Sequence, residues 1–387
     1  MRNWLLPEYT EDVLPSEAAR IEQLRRKLLD LFKVHGYQYV IPPTLEYMES
    51  LITGTGHDLD LATFKVVDQL TGRLMGIRAD MTPQAARIDA HMLNHQGVSR
   101  LCYAGTVLRT KPDGLARTRE PLQIGAELFG HAGIESDIEI QRLMIKALQL
   151  LGLEELHIDF SHVAIFESLV KAGNINADLE QALYAALLSK DKAAVAQLAA
   201  GLPKSIQQAL VSLTELNGDV AMLEKAANVL PELPEINLAL ADLRAVASKL
   251  SDLNVHVSFD LCELRGYHYH SGIVFAAYAQ GYAGPLALGG RYDEVGIAFG
   301  RARPATGFSL DLRGVVSALA PASQPKAILA PEGTDKALLN EIEALRADGL
   351  IVIQALPNVL LNAAELNCDS ALVLRNGEWL IEALAQH

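Results

Sequence analysis

The chain has 387 residues, half of them apolar and 21% charged, which are the proportions of a folded globular protein and exclude a disordered or fibrous one. Its formal charge of −14 repels nucleic-acid phosphates at long range, so binding to nucleic acid would require a local basic patch. Three scattered cysteines, no signal-peptide pattern and no bilayer-length apolar run predict a cytoplasmic protein with reduced thiols and no metal site.

Apolar residues near the start have the spacing of one face of a helix. We predict a helix that begins at Pro15 and ends at Gly36, with Ile21, Leu24, Leu28 and Leu31 on its buried face. A mostly antiparallel sheet in an α+β layer should follow, interrupted by a helix that begins near Pro83. The strands expected in it are Tyr37 to Ile41, a hairpin between Phe64 and Asp80, Leu101 to Leu108 and Pro121 to Phe129.

The second half of the chain changes character twice. Alanine- and leucine-rich sequence from about Ile158 to Val255 predicts a helical insertion at about 160–255, and strands should return at His256 to Phe275 and Gly284 to Leu288. A PASQP linker at 321–325 then separates a core of residues 1–320 from a small α/β unit of residues 326–387. In that unit we predict a strand at 326–330, a helix capped by Thr334, a strand at 350–356 and a hairpin turning at Asn376-Gly377.

Several stretches occur in the order found in class II aminoacyl-tRNA synthetases, and together they resemble histidyl-tRNA synthetase. The resemblance runs from residue 12 to about residue 315 and is broken only by the helical insertion. It implies the class II core and, through a helix-strand-proline element at 36–43, self-association. The stretches are DVLP at 12–15, RADMTPQ at 78–84, QIGAELFG at 123–130, LRGYHYHSGIVF at 264–275 and GGRYD at 289–293.

A free histidine ligand requires a carboxylate for its ammonium group, a cation for its carboxylate and partners for both ring nitrogens. By the resemblance, Asp80 and Thr82, which should share a strand face, hold the ammonium group, although Asp80 replaces the family's glutamate. Gln123 and Glu127, four apart on a strand, read the amino group and the imidazole, and Arg265 neutralises the ligand carboxylate. The alternative is that these residues are paired surface charges. The histidine-binding set that we predict is Asp80, Thr82, Arg109, Gln123, Glu127, Arg265, Tyr269 and His270, the last in place of a family tyrosine.

The groups that serve ATP in the family are altered. Arg109 keeps the place of the arginine that meets the α-phosphate, but Lys111 replaces the acceptor for the adenine amine. Aligned on Gly307, the sequence has Asp311 in place of a glycine and Gly314 in place of the arginine that meets the γ-phosphate. Loss of one such donor typically costs about 10²–10³ in rate. We therefore predict no ATP use, no cofactor and no catalytic residue, although a one-residue shift would bring Arg313 into the arginine's place.

A histidyl-synthetase core without ATP motifs resembles the regulatory-subunit family of ATP phosphoribosyltransferase. The C-terminal unit supports that comparison, since its four basic and nine acidic side chains would repel tRNA. The resemblance implies a short-form catalytic subunit as partner in the first step of histidine biosynthesis, feedback by free L-histidine, and a self-dimer within a hetero-octamer, with no tRNA and no membrane. The competing hypothesis is a divergent active histidyl-tRNA synthetase or another class II amino-acid-activating ligase.

Overall fold

A computed structural model describes residues 5–52, 57–112, 118–320, 324–359 and 362–384. Contacts divide the chain into two units, Met1–Leu319 and Ala320–His387. Residues 321–323 of the expected linker lie outside the described residues. Within the described ranges, no helix is both long enough and apolar enough to cross a membrane.

The first unit is built on a nine-stranded sheet, and most of its neighbouring strands are antiparallel, as predicted. Its strands, in order across the sheet, are β1 (Gln38–Tyr39), β5 (Ser99–Thr106), β6 (Leu122–Phe129), β12 (Ala305–Asp311), β11 (Ala287–Arg291), β10 (Ile273–Ala279), β7 (Leu156–His162), β9 (Val255–Asp260) and β8 (Asn217–Gly218). Among the described residues of this sheet, the parallel pairs are β1–β5 and β7–β9.

Two long helices, α1 (Pro15–Val34) and α5 (Ile134–Leu150), cover one face of this sheet. The predicted apolar face of α1 is buried, except that Phe32 is fully enclosed where we expected Leu31. Alternate residues of β6, namely Ile124, Ala126 and Leu128, point into this helix-covered core. Because this side is closed by helices, polar residues that alternate with the core along β6 must face the opposite side, where a second, smaller core cluster packs.

A three-stranded sheet packs beside the first one and carries the predicted hairpin. It consists of β2 (Leu45–Tyr47), β4 (Leu74–Ile77) and β3 (Phe64–Val67), in that order. Short helices α2 (Met48–Leu51) and α3 (His57–Ala62) join β2 to β3, and α4 (Thr82–Arg87) follows β4 and continues into a π-helix at Ile88–Leu93. The helix expected near Pro83 is confirmed as α4.

Some predicted strand limits were wrong. The strand expected at Tyr37 to Ile41 is reduced to β1, whose ladder has a single neighbour and ends before Pro42. The continuous strand expected at His256 to Phe275 is two strands, with turns at 261–272 between β9 and β10. The strand expected at Gly284 to Leu288 begins later, as β11.

The helical insertion is present but starts after residue 162. Residues from Ile158 to His162, which we had assigned to it, belong to β7. The backbone of this strand pairs with β10 on one side and with β9 on the other. The insertion also holds a 3₁₀ turn at Ala199–Gly201 and the short β8. Its helices are α6 (Val163–Ala172), α7 (Ala177–Leu188), α8 (Lys192–Leu198), α9 (Lys204–Leu213), α10 (Ala221–Val229) and α11 (Pro234–Leu250).

In the first unit, a 3₁₀ turn at Val295–Phe299 follows β11, and α12 (Leu312–Ala318) follows β12. The second unit has a four-stranded sheet in the order β14 (Ile351–Gln354), β13 (Ala327–Ala330), β15 (Cys368–Arg375) and β16 (Glu378–Ala383), with α13 (Lys336–Ala347) packed on it. The predicted hairpin is confirmed, and Asn376 and Gly377 both have positive φ. The helix cap is Asp335 rather than Thr334, since its carboxylate accepts from two backbone N–H groups of α13.

Candidate functional site

Asp80 lies in the bend after β4 and Thr82 is the first residue of α4, so neither is on a strand, which corrects our prediction. The ladder of β4 ends at Ile77, and the Asp80 carboxylate accepts from the Thr82 N–H at 3.0 Å and from its hydroxyl at 3.1 Å. Such local side-chain bonds compete with a ladder and favour the start of a helix. The following helix α4 is anchored by Glu46, whose carboxylate accepts from Gln84 at 2.7 Å. The turn is thereby fixed at the edge of the sheet face opposite α1 and α5.

Gln123 joins this turn to the sheet. Its side-chain amide donates to Asp80 Oδ1 at 2.7 Å and to the Ser309 hydroxyl at 3.1 Å. Its side-chain carbonyl accepts from the Met81 N–H at 2.8 Å. Every polar atom of this amide is therefore bonded, and the residue is only 5% exposed. Gln123 holds the Asp80 turn against β6.

Glu127 occupies the deepest position of the site, with 1% of its surface exposed. The hydroxyl of Tyr103 donates to one carboxylate oxygen at 2.8 Å, and the hydroxyl of Tyr292 donates to the other. The Tyr103 hydroxyl oxygen also lies 3.0 Å from the Thr82 hydroxyl oxygen, a contact that connects Glu127 to the Asp80 turn. Gly307 lies opposite Glu127, and any side chain there would collide with the carboxylate.

Burial raises the pKa of Glu127 to about 8, although the hydrogen bonds from Tyr292 and Tyr103 oppose the shift and the nearby Asp80 adds to it. A buried carboxyl with this pKa is mostly protonated near neutral pH, and a cation bound beside it would favour its ionised form. The site is therefore electrostatically suited to a ligand with an ammonium or imidazolium group.

Tyr269 and His270 line the site from the turn between β9 and β10. The Tyr269 ring stacks on Tyr292 with centroids 5.1 Å apart, and its buried hydroxyl has no hydrogen-bond partner within the described part of the chain. His270 Nδ1 lies 3.2 Å from the carbonyl of Arg291, so Nδ1 carries the proton and Nε2 is left as an acceptor. Burial lowers the pKa of His270 to about 4, which keeps this ring neutral.

The two predicted arginines lie at the margins of the site. The Arg109 guanidinium contacts the carbonyl of Ala79 at 3.4 Å, one residue before Asp80. Arg265 is bonded to Glu263 at 3.0 Å and is about half exposed. With His270 it lines a cavity of about 110 Å³ above β10 and β11. The structure thus brings Asp80, Thr82, Gln123 and Glu127 together and places Arg265 outside their hydrogen-bonded network as far as the described residues show.

Near the positions of the family's ATP-binding groups, Asp311 and Arg313 have partners within the chain. Lys111 has an exposed side chain. The Asp311 carboxylate caps α12 and accepts from the Leu122 N–H at 3.1 Å. The Arg313 guanidinium donates to the backbone carbonyl of Glu11 at 2.9 Å and forms an ion pair with the Glu11 carboxylate. Even if a shift of one residue aligned Arg313 with the arginine that meets the γ-phosphate, its guanidinium would already have a partner within the chain.

Sequence reasoning missed Tyr103, Tyr292 and Ser309. Tyr292 lies within GGRYD, which we noted as a family stretch without assigning it a role. Tyr103 is on β5 opposite Gly125, and a methyl group at Gly125 would lie 2.7 Å from its hydroxyl. A glycine midway between Gln123 and Glu127 was the available signal that another side chain fills the space between them.

Comparison with known proteins covers both units. A family profile described as histidyl-tRNA synthetase matches residues 9–315, and one described as ATP phosphoribosyltransferase subunit HisZ C-terminal domain matches residues 325–382. A structure of an ATP phosphoribosyltransferase regulatory subunit/histidyl-tRNA synthetase from Bacillus halodurans has a TM-score of 0.81 at 28% identity, over 94% of this chain and 96% of that one. A histidyl-tRNA synthetase from a Nostoc species, 18% identical with a TM-score of 0.79 over 99% and 97% of the two chains, shares the fold.

Two curated relatives are similar over nearly their whole length. The ATP phosphoribosyltransferase regulatory subunit of Methylobacillus flagellatus is 70% identical over 99% of both chains. The protein of the same name from Nitrosospira multiformis is 56% identical over 98% of both. With this identity, and with both family profiles matched in order, the chain belongs to the family of ATP phosphoribosyltransferase regulatory subunits, which has the class II synthetase fold.

Proposed function

We propose that this chain is the non-catalytic regulatory subunit of a two-component ATP phosphoribosyltransferase in histidine biosynthesis, and that it binds free L-histidine. The observation that carries the proposal is the buried network in which Gln123 and Tyr103 join the Asp80 turn to Glu127. Asp80, before α4, and Glu127, on β6, are thus two acidic side chains within one hydrogen-bonded network. Such a pair suits a small dicationic or zwitterionic ligand.

Free histidine matches the groups that the site offers. Its ammonium group would meet the partly exposed Asp80 carboxylate, and its ring would lie against Tyr269 and His270. The Tyr269 hydroxyl can donate to one ring nitrogen while His270 Nε2 accepts from the other. Glu127 would act through the tyrosine hydroxyls that it orients and by its charge. The ligand carboxylate would face Arg109, with Arg265 reached only if it leaves Glu263.

A sensor needs a ligand site whose occupancy favours one state of the complex over another. The chain keeps acidic and aromatic groups for an amino acid, whereas Asp311 and Arg313 are bonded to its own backbone and its own N-terminal segment. Chemistry on ATP and phosphoribosyl pyrophosphate is therefore assigned to a partner, a short-form catalytic subunit without a regulatory domain of its own.

The test is to combine the purified chain with such a catalytic subunit and measure phosphoribosyl transfer. We expect the two proteins to co-elute, the mixture to turn over faster than the catalytic subunit alone, and histidine to inhibit the mixture. The chain alone should bind histidine by calorimetry and should catalyse no histidine-dependent exchange between ATP and pyrophosphate.

Three kinds of result would contradict part or all of the proposal. Measurable ATP–pyrophosphate exchange would identify the chain as an active amino-acid-activating ligase. Failure to co-elute with the catalytic subunit, or an unchanged rate in the mixture, would remove the regulatory role. Histidine binding that survives changes at both Asp80 and Glu127 would move the sensor site elsewhere, for instance to the interface with the partner.

We also propose that the chain forms a self-dimer within a hetero-octamer, through the edge of the large sheet at β1. Tyr39, Ile41 and Leu45 expose apolar surface there, and Ile41 is 78% exposed. A charge at the centre of a symmetric contact meets its own copy, so Ile41→Asp should convert dimer to monomer. Sedimentation or light scattering of the chain alone measures this change.

The control for that prediction is Leu238→Asp, on the outer face of α11, where Leu238 is 64% exposed. It introduces the same charge at a similar exposure and should leave the dimer intact. A monomeric wild-type chain, or an Ile41→Asp variant that remains dimeric, would rule out this interface.

A further inference from the structure

Asp311 connects two elements that are distant in sequence. It ends β12 directly opposite Gln123 of β6, and it caps the first turn of α12. Its Oδ1 accepts from the Leu122 N–H and from the Arg313 N–H, each at 3.1 Å. One oxygen atom therefore joins the start of β6 to the start of α12.

The β6 residue next to this bond is the one that organises the site. Gln123 follows Leu122 directly, and its amide holds both Asp80 and the Met81 N–H. Strand residues move together along a ladder, so a displacement of the Leu122 N–H displaces the Gln123 side chain. A displacement of Gln123 would in turn release the turn that presents Asp80.

We propose that Asp311 is a positioning residue for the ligand site, which fixes the start of β6 so that Gln123 holds Asp80 in place. The proposal rests on the histidine-binding function proposed above. Asp311 then has a role beyond the loss of ATP chemistry: a residue that the sequence showed only as a replacement for a glycine near the ATP-binding groups supports the pocket from within the chain.

The chemistry of the carboxylate suits this role. Aspartate is only an acceptor when ionised, and the groups around it are backbone N–H donors and the Arg109 cation. Burial raises the pKa of Asp311, while the N–H groups of Gly314, Leu122 and Arg313 and the charge of Arg109 oppose that shift. The local field therefore favours an acceptor at this position.

A simpler role is that Asp311 only caps α12, and two substitutions separate the alternatives. Asp311→Ser keeps a good N-cap, because serine caps helices as well as aspartate does. Its hydroxyl is one bond nearer the backbone, so it should reach the Arg313 N–H but not the Leu122 N–H on the neighbouring strand. Asp311→Asn keeps Oδ1 in place for both donors, while it removes the charge and replaces the second carboxylate oxygen with an amide nitrogen.

We expect Asp311→Ser to weaken histidine binding by roughly tenfold, the scale of one lost hydrogen bond to a charged group, and Asp311→Asn to stay within roughly twofold of wild type. Calorimetry on the full chain measures both. Equal affinity of the serine variant and wild type would reduce Asp311 to a helix cap. An asparagine variant as weak as the serine variant would show that its charge matters rather than its bridging bond, and would also overturn the proposal.

Hydrogen exchange of the backbone gives a readout that needs no ligand. The peptide that contains Leu122 and Gln123 should exchange faster in Asp311→Ser than in wild type or Asp311→Asn, while α12 should be unchanged. If wild type binds no histidine, the proposed function fails, and this exchange pattern still decides whether Asp311 holds β6. If wild type binds histidine and the β6 exchange is the same in all three proteins, only the role of Asp311 is refuted.

Discussion

Replacing Glu127 with glutamine is expected to weaken histidine binding by roughly 10- to 100-fold and to stabilise the ligand-free protein at the same time. Binding should fall because glutamine, unlike Glu127, cannot ionise to pair with the ligand's cation. It should also fall because an amide no longer accepts from both Tyr103 and Tyr292 without reorienting one hydroxyl. These two effects act at the deepest point of the pocket, where solvent cannot replace what is lost.

The gain in stability follows from the sign of the pKa shift. The pKa of Glu127 is about 8 in the folded chain against an ordinary value of 4.5, so the folded state binds more protons between these two pH values. Stability must therefore fall as pH rises through that window, and it is lowest above pH 8. Glutamine does not titrate, so the variant should have a higher unfolding free energy than the wild type. This difference should grow from pH 5 to pH 8 and reach roughly a few kcal/mol.

Calorimetric titration with histidine at pH 6.5 and pH 8.5, together with urea unfolding at pH 5 and pH 8, checks both effects. From pH 6.5 to pH 8.5 the affinity of the wild type for histidine should rise relative to that of the variant. The reason is that ionising Glu127 costs less free energy as the pH approaches its pKa. Glu139→Gln is the matched control, since Glu139 is paired with Arg100. A Glu127→Gln variant with wild-type affinity at both pH values would remove Glu127 from the ligand site.

Replacing Arg291 with methionine is expected to lower the unfolding free energy of the first unit by about 3–5 kcal/mol, the usual cost of leaving a buried charge unpaired. Arg291 is 7% exposed and donates to Asp137 at 2.6 Å. It also donates to the backbone carbonyls of His131 and Gly133. Methionine has a similar length and fills the volume, so the loss reports the hydrogen bonds and the charge rather than a cavity.

Urea unfolding of the full chain measures this change, with Arg244→Met as control. Arg244 is paired with Glu224 on the surface of the insertion, and its removal should cost less than about 1 kcal/mol. The double variant Arg291→Met with Asp137→Leu should recover much of the loss, because it removes the stranded carboxylate as well. Equal stabilities for Arg291→Met and Arg244→Met would show that the buried pair is not what secures β11 to α5.

Local patterns in the sequence were reliable where one element decides its own structure. The buried face of α1 follows from apolar spacing, and the β15–β16 hairpin follows from Asn376 and Gly377, which adopt positive φ at low cost. Gln123 and Glu127 lie on one strand as their spacing predicts. The resemblance to histidyl-tRNA synthetase identified the family because it rested on several stretches in order rather than on one residue.

Strand limits and side-chain partners followed from contacts between residues far apart in the chain. Asp80 lies outside its expected strand because its carboxylate accepts from the N–H and the hydroxyl of Thr82 and from Gln123, 43 residues away. Arg265 bonds to Glu263 and lies at the margin of the predicted pocket, where it lines a cavity with His270.

The amino-acid sequence alone identified the family, the mostly antiparallel sheet and the C-terminal hairpin, because these depend on local spacing and on motif order. It also predicted a set of polar residues for a histidine ligand, which stays a prediction. Tertiary structure decided that two tyrosines enclose Glu127 and that Asp311 bonds to β6 rather than only opposing a phosphate. Register across β5, β6 and β12 brings these groups within hydrogen-bonding distance, and no local pattern encodes that register.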